Sequence, residues 1–304
     1  MIAAVVSVLT AILTLIATFI LTPIGQYLLT RRQLPYQLKT EYEYEQRKQL
    51  SDTINRYRGL ILNYADILKT RVFNLYENEA KGWLKVKVKK SWFKTDEKNY
   101  QAAGYYYRTT VYRFLAVTSS IQQFENEALY IDHKIAEKEN YFDFVYGLKL
   151  LQKAATDVSL FDATGYDSSV SKDHIFSDRL RIIADSYWRQ EGFLTREEFR
   201  SLMGKDHELD PVLEFFDDLR SSEDRLRWDR LVVFHLFLIA FVNTFRYGFQ
   251  QTKEDELIHV VKKIRHNEVR KNLVRWLQEY KLLGQSVYGQ ELQSISDMVS
   301  KEMR

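Results

Sequence analysis

The chain has 304 residues, of which 44 are Lys or Arg and 41 are Asp or Glu, so its formal net charge is only +3. It contains no cysteine, which excludes disulfide bonds, thiolate metal sites and a cysteine nucleophile. Three prolines and 11 glycines are few for this length. Together with long, charged amphipathic stretches, this scarcity predicts an all-α protein.

The first predicted element is the uncharged run Ile2–Leu21. About 20 apolar residues cross a bilayer as one helix. A cleaved signal peptide would need a basic stretch before its apolar core, but only Met1 precedes this run. We therefore expect a retained single transmembrane helix. Because Arg31 and Arg32 follow it, the positive-inside rule places the N-terminus outside and the bulk of the chain in the cytoplasm, at the plasma (inner) membrane.

Small hydroxyl side chains recur every three or four residues along this helix, so they share one face. They are Ser7, Thr10, Thr14, Thr18 and Thr22. Such residues let two helices approach closely and bond to each other, and we expect this face to form a homo-oligomer. Two alternatives remain: the face lines a polar path inside an oligomer, or threonine is tolerated in lipid because its hydroxyl bonds the carbonyl four residues back.

The second predicted helix is Tyr36–Lys81. Apolar side chains between Leu50 and Leu75 are spaced by threes and fours, which gives a near-heptad pattern. This pattern fits a core helix packed on its own chain, and it also fits a coiled-coil stalk.

A basic and aromatic stretch follows at Lys81–Lys98, where Leu84, Val86 and Val88 alternate with lysines. A period of two predicts a short strand or hairpin arm. Lysines beside aromatic rings suit anionic lipid headgroups or nucleic-acid phosphates and bases. The candidate polyanion-binding residues are Lys85, Lys87, Lys89, Lys90 and Trp92. The alternative is a solvated strand edge whose lysines prevent aggregation.

The remainder of the chain predicts helices on either side of one loop. Thr156–Ser171 is rich in Ser, Asp, Gly and Thr, which indicates a loop between two subdomains. Leu231–Phe245 is apolar almost all round but too short to span a membrane, so we expect a buried central helix. We divide the chain into a transmembrane anchor (1–30), a long helix with basic arm and helical bundle (36–155), and a C-terminal helical subdomain (172–304).

Two later helices carry start signals. Thr195 followed by Glu198 forms a capping box that predicts a short helix. Ser222 is the predicted cap of the helix that contains the apolar run and continues to Phe249.

Basic residues also gather late in the chain, at Lys262, Lys263, Arg265, Arg270, Lys271 and Arg275. Such a cluster is usually a solvated helix face, although beside the lysine-rich stretch it favours a polyanionic partner.

The sequence carries no motif for a catalytic, metal or cofactor site. The six histidines include no pair at the helical spacing of zinc ligands. There is also no glycine-rich phosphate loop and no nucleophile elbow. We therefore predict a protein that is not an enzyme and uses no metal or cofactor.

One pattern offers an alternative. Arg230 and His235 have the spacing of the loose R-x4–6-H pattern and in this are similar to HEPN ribonucleases, as are Arg200 and His207. The resemblance implies a membrane-tethered RNase. His235 lies in the apolar run, however, where a core histidine bonded to a neighbouring carbonyl is the more usual case.

The leading hypothesis is a single-pass membrane-anchored helical protein that oligomerises through its anchor and senses or binds a cytosolic partner. By analogy of architecture alone, it fits a membrane-acting effector of a bacterial antiviral defence system. A passive membrane scaffold that recruits a soluble protein is the other non-enzymatic class.

Overall fold

The chain is mostly helical in a computed structural model that describes residues 7–11, 14–15, 17–18, 22–85, 104–128, 142–169, 173–190, 192–203, 205–246, 248–279 and 286–304. The helices are α1 (Thr22–Glu77), α2 (Tyr105–Ala128), α3 (Phe142–Thr156), α4 (Ser177–Tyr187), α5 (Arg196–Leu202), α6 (Asp210–Phe216), α7 (Arg227–Phe245), α8 (Glu254–Val261), α9 (Asn267–Glu279) and α10 (Val287–Glu302). Short 3-10 helices lie at Glu79–Lys81, Val158–Phe161, His207–Leu209 and Gly248–Gln250. The predicted all-α class is confirmed.

The chain divides into two units. The first contains Met1–Asp52, and the second contains Thr53–Tyr130 and Glu139–Arg304. The serine- and aspartate-rich loop that the sequence marks as a boundary has its described residues within the second unit.

The first unit holds the apolar N-terminal segment and the start of α1. Residues 7–11 and 14–15 are α-helical. Helix α1 begins at Thr22 and contains Pro35, so the predicted start at Tyr36 is wrong. Pro23 is tolerated in the first turn because its missing N–H needs no partner there. Pro35 removes one interior hydrogen bond, and the helix continues on both sides of it.

Helix α7 forms the centre of the second unit and is buried from Arg227 to Asn243. It packs against α3, α10 and α8. Within the described residues it is the helix whose length and composition would suit a membrane span, but 89% of that window is buried inside the protein. The prediction of a buried central helix is confirmed, because a helix that is apolar all round needs neighbours on every side.

Both ends of α7 differ from the sequence-based expectation. The helix starts at Arg227, not at a cap on Ser222, and it ends at Phe245. The Asp173 carboxylate accepts a hydrogen bond from the Leu226 N–H at 3.0 Å. A cap supplied from so far along the chain leaves no local signal.

A short β-hairpin, whose two strands are two residues each, joins α4 to α5. Strands β1 (Trp188–Arg189) and β2 (Gly192–Phe193) are antiparallel, with Trp188 opposite Phe193 and Arg189 opposite Gly192. Gly192 has a φ of +139°, and a Cβ there would meet the side chains of Tyr64 and Leu60 at 3.5 and 3.6 Å. The positive φ favours glycine at this position, whereas these distances are ordinary van der Waals contacts.

The predicted capping box at the start of α5 is confirmed. The Glu198 carboxylate accepts from the Thr195 N–H at 2.8 Å, and the Thr195 hydroxyl accepts from the Glu198 N–H at 3.3 Å. This reciprocal pair fixes the first turn of α5 and the position of Arg196 in it.

Candidate functional site

Two threonine hydroxyls on the hydroxyl face of the N-terminal segment donate hydrogen bonds within their own helix. The Thr14 hydroxyl donates to the Thr10 carbonyl, and the Thr18 hydroxyl to the Thr14 carbonyl, each at 2.8 Å. A groove along this face is lined by Ser7, Thr10, Ala11, Thr14, Leu15 and Thr18. Because these two donors already bond within their own helix, the face is suited to close packing more than to hydrogen bonds between helices. Thr22 begins α1, and its side chain lies outside the described residues.

Of the predicted polyanion-binding residues, Lys85 alone lies within the described part of the chain, and it is exposed. It follows Leu84, which is buried and whose carbonyl accepts from the Asp218 N–H at 2.8 Å. Lys85 therefore projects from a fixed point on the second unit. The described start of the predicted strand arm, residues 81–85, is the end of a 3-10 helix followed by a turn, so it is not a strand. The rest of the arm lies outside the described ranges, as do Lys87, Lys89, Lys90 and Trp92.

Two stacked aromatic rings lie at the start of this basic stretch. The Trp83 and Tyr106 rings lie 3.6 Å apart with an interplanar angle of 5°. Lys81 Nζ lies 5.2 Å from the Trp83 ring centroid, and Arg71 Cζ lies 4.7 Å from that of Tyr106. Since the rings stack face to face, the two cations cover their outer faces. The lysine-rich stretch thus begins at a cationic, aromatic surface of the second unit.

Three arginines meet at this surface, and the sequence analysis missed them. Arg71 comes from α1, Arg113 from α2 and Arg196 from the first turn of α5. Because they lie far apart in the sequence and on different helices, no motif or spacing links them. The one available hint is the concentration of tyrosines at the start of α2.

The late basic cluster is paired with acids and carbonyls. Lys262 pairs with Glu302, Lys271 with Glu268, and Arg275 with Asp162 and Glu279. Arg265 donates to the carbonyls of Ser221, Glu223 and Arg225, and Arg270 to that of Ile264. Most of its charge is thus already balanced or committed within the fold, which disfavours it as the polyanion site.

Arg230 is a structural cation in the core of the second unit. It is 1% exposed, and its guanidinium donates to the carbonyls of Ala154, Asp157 and Asp173 at 3.0, 3.0 and 3.3 Å. Burial lowers the pKa of Arg230 to about 10, although nearby Tyr166, Asp157 and Asp173 oppose that shift. The side chain holds the end of α3 and the loop after it, since its donors meet carbonyls that the helix leaves unpaired.

His235 is buried on a different side of α7. It is fully buried, its ring packs on Tyr76 at 5.4 Å, and neither ring nitrogen has a hydrogen-bond partner among the described residues. The nearest backbone partner is Lys69, whose interaction with the ring favours the charged form without completing a well-aligned hydrogen bond. Burial lowers the pKa of His235 to about 3, with the backbone of Lys69 opposing the shift and its charge adding to it.

The two R-x4–6-H pairs do not converge. Arg230 and His235 are five residues apart on one helix, which turns their side chains by about 140°, and each contacts different elements. Arg200 pairs with Glu197 and His207 contacts Asp210. The geometry gives neither pair a shared site for RNA.

No group of three or more His, Asp and Glu able to hold a metal ion occurs within the described ranges. No protein-family model, curated protein or solved structure matches this chain. Its function must therefore be argued from its own residues.

Proposed function

We propose that this chain is a single-pass membrane-anchored helical protein that oligomerises through its N-terminal segment and binds a cytosolic partner through its helical domain. The observation that carries the proposal is exposure of apolar side chains. Val8, Leu9 and Leu15 are 59%, 54% and 55% exposed in a run without charge. Leaving such side chains in water costs roughly 1.5–3 kcal/mol for each one that could be fully buried, and a bilayer removes that cost.

The orientation follows from basic residues that come after the segment. Arg31 and Lys39 are exposed in α1, and the positive-inside rule keeps such residues in the cytoplasm. The chain has no cysteine, so Thr40→Cys introduces a unique label at an exposed position. A membrane-impermeant maleimide should label it only after the membrane is opened. Labelling of intact cells would reverse the topology.

Assembly through the hydroxyl face is supported by its shape and its internal bonding. The groove along Thr10, Thr14 and Thr18 offers space for the ridge of a second helix. Threonine hydroxyls that bond their own backbone present a surface of small side chains to that partner. Assembly of this kind at the membrane, in response to a ligand, suits an effector of bacterial antiviral defence.

The size of the detergent-solubilised particle tests the proposal. The full chain should form a defined multiple of 36.2 kDa and remain with membranes after an alkaline wash. A variant without residues 1–30 should be soluble and monomeric. If removal of those residues changes neither the particle mass nor its membrane association, the anchor and its role in assembly are both wrong. A passive scaffold would show a particle size that no added ligand changes.

A further inference from the structure

The guanidinium groups of Arg71, Arg113 and Arg196 gather on one side of α2. Arg113 lies two helical turns after Tyr106, on the same face of the helix. Arg71 approaches that face with its Cζ 4.7 Å from the Tyr106 ring centroid. Arg196 Cζ lies 6.0 Å from the ring centroid of Tyr112, the residue before Arg113. Three helices therefore bring three positive charges to one place.

Two of these arginines hold buried donors without a partner. Arg71 is 6% exposed, and its Nε and Nη1 have no hydrogen-bond partner within the described chain, nor does Nε of Arg113. Buried charged donors without an acceptor destabilise a fold. By contrast, the buried guanidinium of Arg227 is fully engaged by Glu223 and two backbone carbonyls. Arg71 has Tyr105 as a side-chain hydrogen-bond partner, but two of its three guanidinium nitrogens remain without one.

The positive charges of neighbouring arginines add to the cost of these unpaired donors. Burial, and to a smaller extent the positive charges of Arg71 and Arg196, lower the pKa of Arg113 to about 10, with Tyr105 opposing them. The carboxylates beside Arg196 are engaged elsewhere, since Glu198 closes the capping box and Glu197 pairs with Arg200. Among the residues that the structure describes, no carboxylate forms an ion pair with any of the three arginines.

The side chains that frame the cluster contact one another. The Tyr112 hydroxyl donates to the Leu194 carbonyl at 2.8 Å, which fixes the start of α5 against α2. The Trp83 and Tyr106 rings stack on each other and are covered by Lys81 and Arg71. The three guanidinium groups supply the charge and the donor geometry for recognition here. A guanidinium fork matches the oxygens of a phosphate group.

We propose that Arg71, Arg113 and Arg196 form a binding site for a phosphate dianion, either free phosphate or the terminal group of a phosphate monoester. The inference rests on the proposed function in one respect, that the helical domain is the part of the chain that binds a ligand. It names the chemical class of that ligand.

Thermal unfolding and calorimetry of the full chain in detergent test the site. The probes are inorganic phosphate, glycerol phosphate as a soluble monoester, and a single-stranded RNA with hydroxyl ends that carries diesters alone. Sodium chloride at matched ionic strength is the reference. Phosphate or glycerol phosphate at millimolar concentration should raise the melting temperature. Stabilisation by phosphate alone identifies the free ion as the ligand, and stabilisation by glycerol phosphate alone identifies the monoester.

Three variants separate the site from general charge effects. Arg196→Gln changes an exposed residue and should weaken binding at least about tenfold. Arg113→Gln should do the same while leaving the melting temperature without ligand unchanged or higher, because it removes repulsion between like charges. Arg275→Gln removes the same charge from a paired residue and should leave phosphate binding intact.

Several outcomes would overturn the site: no response to either phosphate probe, equal responses in all three variants, or stabilisation by the diester RNA alone. None of these measurements depends on particle mass. A failure here would therefore leave assembly through the N-terminal segment untouched, and a failure of assembly would leave this site intact.

Discussion

The indole of Trp83 lies flat on the phenol of Tyr106, with ring centroids 3.6 Å apart. This contact joins Trp83, near the start of the lysine-rich stretch, to Tyr106 at the start of α2. Joining two residues this far apart in the chain costs roughly 3 kcal/mol of chain entropy. The stack and its two flanking cations offset part of that cost and hold Trp83 close to Arg71.

Trp83→Ala should therefore destabilise the full chain by about 2–3 kcal/mol, since stacking and apolar burial are lost together. Urea unfolding followed by circular dichroism measures this change without relying on tryptophan fluorescence. Trp83→Phe keeps an aromatic face and should cost less than half as much. Equal free energies of unfolding for Trp83→Ala and the wild type would mean that the stack contributes nothing.

Replacing Lys85, Lys87, Lys89 and Lys90 with Gln should weaken binding to anionic liposomes or to single-stranded RNA. If RNA is the partner, each lysine that contacts a phosphate contributes about 0.7 to the slope of log affinity against log salt. The slope should therefore fall by up to about 3 in the fourfold variant. Lys262→Gln and Lys271→Gln remove ion-paired lysines and serve as controls. A wild-type chain that binds neither partner at low salt would assign the lysines to a solvated edge.

Changing Thr10, Thr14 and Thr18 to Leu should weaken self-association by about 1–2 kcal/mol, because larger side chains prevent close approach of the helices. Analytical ultracentrifugation in detergent measures the change. Exchanging Leu9, Ile12 and Ile16 for other aliphatic residues is the matched control on the opposite face and should have little effect. Similar losses from both faces would rule out the hydroxyl face as the interface.

Features that depend on neighbouring residues in the sequence were predictable. The apolar run Leu231–Phe245 requires burial on every side, and it lies at the centre of the second unit. The capping box at Thr195 and Glu198 is formed by atoms three residues apart, so its sequence pattern and its geometry coincide.

Features set by distant residues were not predictable. The start of α7 depends on the carboxylate of Asp173, and no residue near Leu226 in the sequence predicts that this helix begins there. The phosphate-site arginines come from three helices, and each alone resembles an ordinary surface cation. The long helix was predicted to start at Tyr36, whereas α1 begins at Thr22 and continues through Pro35, a residue that usually interrupts helices.

Arg230→Gln should lower the free energy of unfolding by about 3–5 kcal/mol, because three buried carbonyls lose the guanidinium donors that they accept from. Arg179→Gln removes an exposed arginine paired with Glu208 and should cost less than about 1 kcal/mol. RNA degradation by the purified proteins should be measured alongside stability. Loss of a specific cleavage in Arg230→Gln at unchanged stability would favour the membrane-tethered RNase over every other function considered.

The buried imidazole of His235 should make stability depend on pH. Its pKa is about 3 in the folded chain, against about 6.5 when unfolded, so unfolding between these values takes up a proton. The stabilising contribution is complete above pH about 6.5 and is lost as the pH falls toward 3, by about 1.4 kcal/mol for each pH unit. His174 acts in the same direction, since burial also lowers its pKa.

His235→Leu keeps the contact with Tyr76 and removes two unpaired nitrogens. Its free energy of unfolding should therefore fall by about 2 kcal/mol less than that of the wild type between pH 8 and pH 5. Parallel profiles for His235→Leu and the wild type would show that the imidazole is not held neutral in the core.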